Sequence, residues 1–191
     1  MNKNVVIDAI RERRTVREFT DDPVPRDALE RWLEAACWAP NHRLTEPWRF
    51  LVLNQGGTAR ASIGDMARDY AFELGRDLPD AKRNRVADAA RDEVLESPAF
   101  MYVYALPGDS EEISRENYAA VCCAVQNFQL AAYSEGYAVG WSTGKLTRLP
   151  GLRETIGADP EWQMVGALFA GKAVRRSRAQ RQEMGNVTSW L

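Results

Sequence analysis

A chain of 191 residues with 45% apolar composition can bury one substantial core, and it is read as one domain over residues 1–191. A formal net charge of -2 excludes a global electrostatic pull toward nucleic acid or an anionic membrane, so the expected partner is a small molecule or a second copy of the chain. No apolar run reaches the roughly 20 residues of a membrane span and no apolar signal region follows Met1-Asn2-Lys3-Asn4; a cytoplasmic location is expected, with Cys37, Cys122 and Cys123 free of structural disulfides.

Val5, Val6, Ala9 and Ile10 recur at helical spacing and predict a short first helix over 5–13, running into the basic stretch Arg11 to Arg17. After the turn-like Asp21-Asp22-Pro23-Val24-Pro25, Asp27 and Glu30 have the spacing of a capping box. Leu29, Leu33, Ala36 and Cys37 then form the apolar stripe of a second helix that ends before Pro40. Phe50 to Leu53, closed by Asn54-Gln55-Gly56-Gly57, reads as a strand and its turn. Residues 58–96 are charge-rich and helical, and Pro79 divides them into two helices that form an excursion over the core. Ala99 to Leu106 has the aromatic and β-branched profile of a buried strand. From Ser114 to Glu135 the pattern is helical and apolar nearly all round, which predicts burial on more than one side, and Gly136 is placed to cap it. Tyr137 to Trp141 and Met164 to Ala170 read as strands with a short helix, Leu152 to Ile156, between them; a basic and then polar tail follows Gly171. The strands are spaced too irregularly for a doubly wound parallel sheet. The expected class is α+β, with a mixed, largely antiparallel central sheet flanked by helices.

Several chemistries are excluded by what the chain lacks. His42 is its sole histidine and no Cys-x-x-Cys pair is present, which removes the usual zinc and transition-metal sites. No Gly-x-Ser-x-Gly turn exists for a serine hydrolase. Gly140-Trp141-Ser142-Thr143-Gly144-Lys145 falls short of a phosphate loop, with three residues between its glycines and Leu146 after the lysine. No Gly-x-Gly-x-x-Gly follows a strand, so hydride chemistry here would use a flavin held in another way.

Three polar segments remain. Arg13-Arg14-Thr15-Val16-Arg17 places guanidinium forks and a hydroxyl at a helix end, chemistry that suits phosphate oxygens and an anionic ring edge, or else a solvated basic terminus. Ala39-Pro40-Asn41-His42 to Glu46-Pro47-Trp48 is a proline-fenced loop that delivers into a strand; it is stiff enough to hold Asn41 or His42 against a planar ligand, or is a plain connection. Gly140 to Gly144 offers Trp141, Ser142 and Thr143 beside flexible glycines, or is a simple strand end.

Taken together these segments resemble the nitroreductase family of flavoproteins, in particular its small single-domain branch, over nearly the whole chain and least between Thr58 and Glu96. The family opens on Arg-Arg-Ser-x-Arg-x-Phe, matched by Arg13 to Phe19 with Thr15 for serine. Its second pattern, Ala-Pro-Ser/Asn/Asp and then Gln-Pro-Trp-x-Phe, is matched by Ala39-Pro40-Asn41 and Glu46-Pro47-Trp48-Arg49-Phe50, with Glu46 for glutamine. The resemblance implies an intertwined homodimer with FMN at the subunit interface and NAD(P)H as electron donor, acting by a ping-pong mechanism on a small electron-poor acceptor such as a nitroaromatic or a quinone. It implies that Arg13, Arg14 and Thr15 hold the FMN phosphate and ribityl chain, with Arg176 and Arg178 completing the grip and Arg17 toward the pyrimidine edge. Trp38 and His42 would approach from the other subunit, Trp141, Ser142 and Thr143 would line the remaining edge, and Pro40, Asn41 and Gly144 would also belong to the cofactor site. Narrower flavin chemistry, such as reductive dehalogenation or flavin fragmentation, and FMN binding without turnover are the alternatives.

Overall fold

Strand β2 (Ala99–Ala105) is buried at every position, and the two-residue period of a strand divides its side chains: Met101, Val103 and Ala105 enter one apolar cluster, Phe100, Tyr102 and Tyr104 another. Such a strand needs cover on both faces. The computed structural model, which describes residues 5–175 and 179–191, provides it in three layers. The middle layer is a sheet of β1 (Trp48–Leu53), β2, β4 (Gln163–Gly171) and β3 (Ala138–Ser142), in that spatial order. All of its pairings are antiparallel; the parallel contact among the described residues is a single bridge between Thr15 and Val139 of β3. The α+β class follows, with the mixed character reduced to that bridge.

On one face lie α2 (Arg26–Cys37) and α5 (Glu111–Ser134), joined through Trp32, fully buried and edge-on to Phe128 at 5.7 Å. The short α1 (Val5–Glu12) leans on α5, where Glu12 accepts a 2.7 Å hydrogen bond from the Tyr133 hydroxyl. The other face carries α3 (Thr58–Leu74), α4 (Asp80–Leu95) and α6 (Leu152–Ile156). Pro79 sits at the start of α4, dividing the excursion where its fixed φ and missing N–H predict. A buried cation ties this excursion to the sheet. Arg60 of α3 is 1% exposed, and its guanidinium donates to the carbonyls of Val94 (2.8 Å), Ser97 and Leu53, closing the end of α4.

Two helix starts differ from the sequence reading. The Asp27–Glu30 spacing is not a capping box: Pro25 occupies the N-cap with φ -60°, so α2 begins at Arg26 and Asp27 falls inside its first turn, where a carboxylate still complements the helix dipole. Glu30 pairs with Arg26 and Asp27 with Arg31, both at 2.8 Å. Helix α5 begins before Ser114, because Ser110 caps it by accepting from the Ile113 N–H at 3.2 Å. Gly136 ends it at φ +84°, as a left-handed cap requires. The buried stripe of α5 is Ala120, Val121, Ala124, Val125, Phe128 and Ala132; Cys122, Leu130 and Ala131 beside it are half-buried, while Cys123 is exposed. No helix among the described residues is long and apolar enough to cross a membrane.

Candidate cofactor site

The polypeptide leaves α1 in an extended course that runs beside the outer edge of β3. Thr15 bridges Val139, and the Val16 N–H donates to the Val139 carbonyl at 3.3 Å while the Val16 side chain is buried. Gly140 makes the approach possible, since a Cβ there would collide with the Val16 carbonyl oxygen. The first and third polar segments are therefore neighbours. Ser142, at the end of β3, is buried, and its hydroxyl lies 3.5 Å from the Gly144 N–H; Thr143 and Gly144 are exposed. Trp141 turns its indole onto the sheet, donating to the Val165 carbonyl at 3.2 Å over Gly166, where a Cβ would leave no room for the ring.

Arg13 and Arg14 are half-buried beside this strand edge. Arg13 donates to the Gln129 side chain of α5 at 3.2 Å, and Arg14 to the carbonyls of Arg11 and Arg13 at 2.6 and 2.7 Å. The Nε atoms of both are buried without a hydrogen-bond partner, and neither guanidinium is paired with a carboxylate among the described residues. Desolvation first, and then the charges of Arg14 and Arg181, push the Arg13 guanidinium below its ordinary pKa. Several surface arginines do have a carboxylate within reach, as in Arg17–Glu93, Arg31–Glu135 and Arg175–Glu18. The contrast marks an electropositive cluster that lacks an anion.

Arg17 faces another way. Its guanidinium lies 3.2 Å from Glu93 of α4, beside a cavity of about 560 Å³ whose walls include Phe19, Asp92, Glu93 and Glu96. That acidic lining repels a phosphate, so an anionic group is favoured at Arg13 and Arg14 instead.

The proline-fenced loop lies at the opposite end of α5. His42 places Nδ1 2.8 Å from Glu116, and the Thr45 hydroxyl donates to the Asn117 side chain at 2.8 Å. Asn41 is spent within the loop, its amide donating to the Ala39 carbonyl and its oxygen accepting from the Glu46 N–H. Arg43, Leu44 and Glu46 all hold positive φ, a costly conformation for side chains with a Cβ. Pro40 is exposed, and Trp38 and Leu44 are each 81% exposed. Asn117 and Gln129 are twelve positions apart on one helix, which places this loop roughly 18 Å from Arg13 along the axis. Within one protomer it does not join the other two segments.

A profile of the Nitroreductase family matches residues 10–172. The chain belongs to this family. Among its relatives, YfhC of Bacillus subtilis, assigned by name to the NAD(P)H nitroreductases, is 32% identical over 75% of this chain and 71% of its own length. A nitroreductase-like family protein of Bacillus cereus has the same fold with a TM-score of 0.83, at 29% identity over 100% of this chain and 98% of its own. An FMN complex from Desulfovibrio desulfuricans, 23% identical, shares the fold with a TM-score of 0.72 over 98% and 96% of the two chains. The chain is accordingly an oxidoreductase.

Against the nitroreductase pattern, Glu46 is the conspicuous departure; its side chain is exposed while its N–H is capped by Asn41, so its charge is directed to solvent. Arg176 and Arg178, expected to complete a phosphate grip, lie outside the described residues. Sequence reasoning missed Arg181, whose charge acts on Arg13, along with Gln129, Glu93 and Glu116. Arg181 was visible as a further member of the basic tail that begins at Arg175. The partners on α4 and α5 had no local signal, because the pairings span 74 to 116 residues.

Proposed function

We propose that this nitroreductase-family chain is an FMN-dependent oxidoreductase that passes reducing equivalents from NAD(P)H to a small electron-poor acceptor, a nitroaromatic or a quinone, by ping-pong turnover at two identical sites in a homodimer. The observation that carries this reading is the pair of buried, unpartnered Nε atoms on Arg13 and Arg14. A half-buried guanidinium without an anion costs stability, and a phosphate dianion offsets that cost with charge-assisted hydrogen bonds. The residues present therefore fit FMN.

When bound, FMN supplies the two-electron chemistry, taking reducing equivalents from the nucleotide and giving them to the acceptor. Arg13, Arg14 and Thr15 would hold the phosphate and ribityl chain, with Arg181 adding positive field. Arg17 would serve the pyrimidine edge after leaving Glu93, and Ser142, Thr143 and Gly144 would line the rest of the ring system. Trp38, Pro40 and His42 would come from the second copy, since the roughly 18 Å along α5 keeps a protomer's own loop away from its own arginines. Unpartnered apolar surface supports that second copy. Val5, Val6 and Ile10 of α1 are 48–70% exposed, and Val187 and Trp190 in the tail are 70% and 87% exposed. Strand β1 also lies at the edge of the sheet.

One absorbance experiment tests the reading. Purified protein, reconstituted with FMN where needed, is expected to be yellow and to bleach anaerobically with NADPH or NADH, then to recover colour when a quinone is added. Protein that takes up no FMN refutes the site; yellow protein that neither nucleotide bleaches refutes the enzyme.

A further inference from the structure

The loop that carries His42 is held more firmly than a connection needs. Three non-glycine residues in the left-handed region are kept there by the Asn41 amide, the Thr45–Asn117 hydrogen bond and the His42–Glu116 contact. Strain of this kind persists where the surrounding structure holds it, and it clusters where a side chain must be aimed. The side chain aimed is the chain's sole imidazole. Its Nδ1 faces Glu116 at 2.8 Å, its Nε2 has no partner among the described residues, and the ring is 59% exposed. Glu116 is anchored one position before Asn117, which is buried and fixed by donating to the Leu106 carbonyl at 3.1 Å. A carboxylate on Nδ1 sets the tautomer and orientation of the ring, leaving Nε2 as the atom that exchanges a proton.

The proposed reaction requires such a proton. A quinone reduced by two electrons takes hydride on one oxygen and one proton on the other, and becomes the hydroquinone. A nitro group takes hydride and one proton and loses water, and becomes the nitroso compound. We propose that His42 donates this proton from Nε2 to the acceptor oxygen, with Glu116 as the positioning residue that holds Nδ1. The assignment rests on the proposal above that this loop reaches the partner's flavin. The proton leaves an imidazolium, the bond between Nε2 and hydrogen breaks as the oxygen–hydrogen bond forms, and solvent reprotonates the exposed ring. No oxidant or reductant beyond the bound flavin and its acceptor is needed.

The test uses FMN-loaded protein and a Glu116→Gln variant. Because the chain has a single histidine, nitrogen NMR reads its tautomer without assignment; the wild type is expected to hold the hydrogen on Nδ1 and the variant to move to the Nε2–H form. In stopped flow, bleaching by NADPH is expected to stay within twofold in the variant, and reoxidation by a benzoquinone to slow about tenfold, a modest part of what a positioned acid contributes. Reoxidation by ferricyanide, which takes electrons alone, is expected to be unchanged. An unaltered tautomer, an unchanged quinone step, or an equal slowing with ferricyanide overturns the assignment. Failure of the flavoenzyme reading shows separately, as wild-type protein that NADPH does not bleach, and removes both.

Discussion

Replacing Gly140 with alanine drives a methyl group into the carbonyl oxygen of Val16, a backbone atom that cannot rotate away. Ordinary carbon–oxygen contact requires the segment to retreat by about 1 Å. The segment is attached to β3 by one bridge and one 3.3 Å hydrogen bond rather than by a ladder, so it yields before the sheet does. Overpacking of this kind costs about 1–3 kcal/mol and the lost hydrogen bond about 1 kcal/mol, so the fold survives with a lowered melting temperature. The larger effect falls on the site, because Arg13, Arg14 and Thr15 travel with Val16 while Ser142 and Gly144 stay with the sheet. A shift of that size separates the groups proposed to hold the phosphate from those proposed to line the ring and is expected to weaken FMN binding at least tenfold, about 1.4 kcal/mol. Flavin fluorescence titration measures the affinity, and a circular-dichroism melt of the same sample shows whether the fold is intact. A folded Gly140→Ala protein that binds FMN as the wild type does would refute the claim that the first and third segments form one site.

Three further outcomes follow from the same structure. Arg13→Met removes a half-buried cation without a carboxylate, so the FMN-free protein is expected to gain about 1 kcal/mol in urea denaturation while FMN affinity falls tenfold or more; a loss in both would count against the unpaired-charge argument. Arg31 holds Asp27 and Glu135 at 2.8 Å each, and its hydrogen bonds lower both carboxyl pKa values. A carboxylate depressed in the folded state stabilises it above the unfolded pKa and loses that contribution as pH falls through the folded value, so the stability gap between wild type and Arg31→Ala is expected at neutral pH and to close below about pH 4. Trp32→Ala empties a fully buried site against Phe128 and Tyr137, with an expected loss of about 3–5 kcal/mol in chemical denaturation.

Periodicity alone revealed most of the sheet and helix plan, because β2 and β4 are buried on both faces and α5 carries a continuous apolar stripe. Helix starts were less legible. Pro25 displaced an acidic pair that looked like a cap, and Ser110 capped α5 behind two exposed glutamates that broke no pattern. For the site, the residue types were visible and their groupings were not. Arg13 and Arg17 are four positions apart in sequence, yet one turns to Gln129 of α5 and the other to Glu93 of α4. A two-residue period would put both on one face, but this segment is irregular between its bridges at Thr15 and Phe19, and only the packing of distant helices decides what each side chain meets.

Helix α5 therefore acts as the ruler of the molecule. At its Gln129 end stands a cationic cluster without an anion, and at its Glu116 end an imidazole aimed outward from a strained loop. A rigid helix fixes their separation at roughly 18 Å, beyond the reach of any side chain. On the proposed reading one protomer thus carries two halves of different sites. In the proposed dimer, a second copy related by a twofold axis would complete both at once, because a self-complementary interface would bring the loop of each copy to the arginines of the other. The same geometry makes the halves separable by mutation: mixing a protein altered at Arg13 with one altered at His42 should restore a single intact site per mixed dimer, carrying one unaltered arginine cluster and one unaltered loop. Exchange of subunits followed by partial recovery of quinone reduction would bear this out, and no recovery in dimers shown by mass to be mixed would mean that each protomer's site is its own.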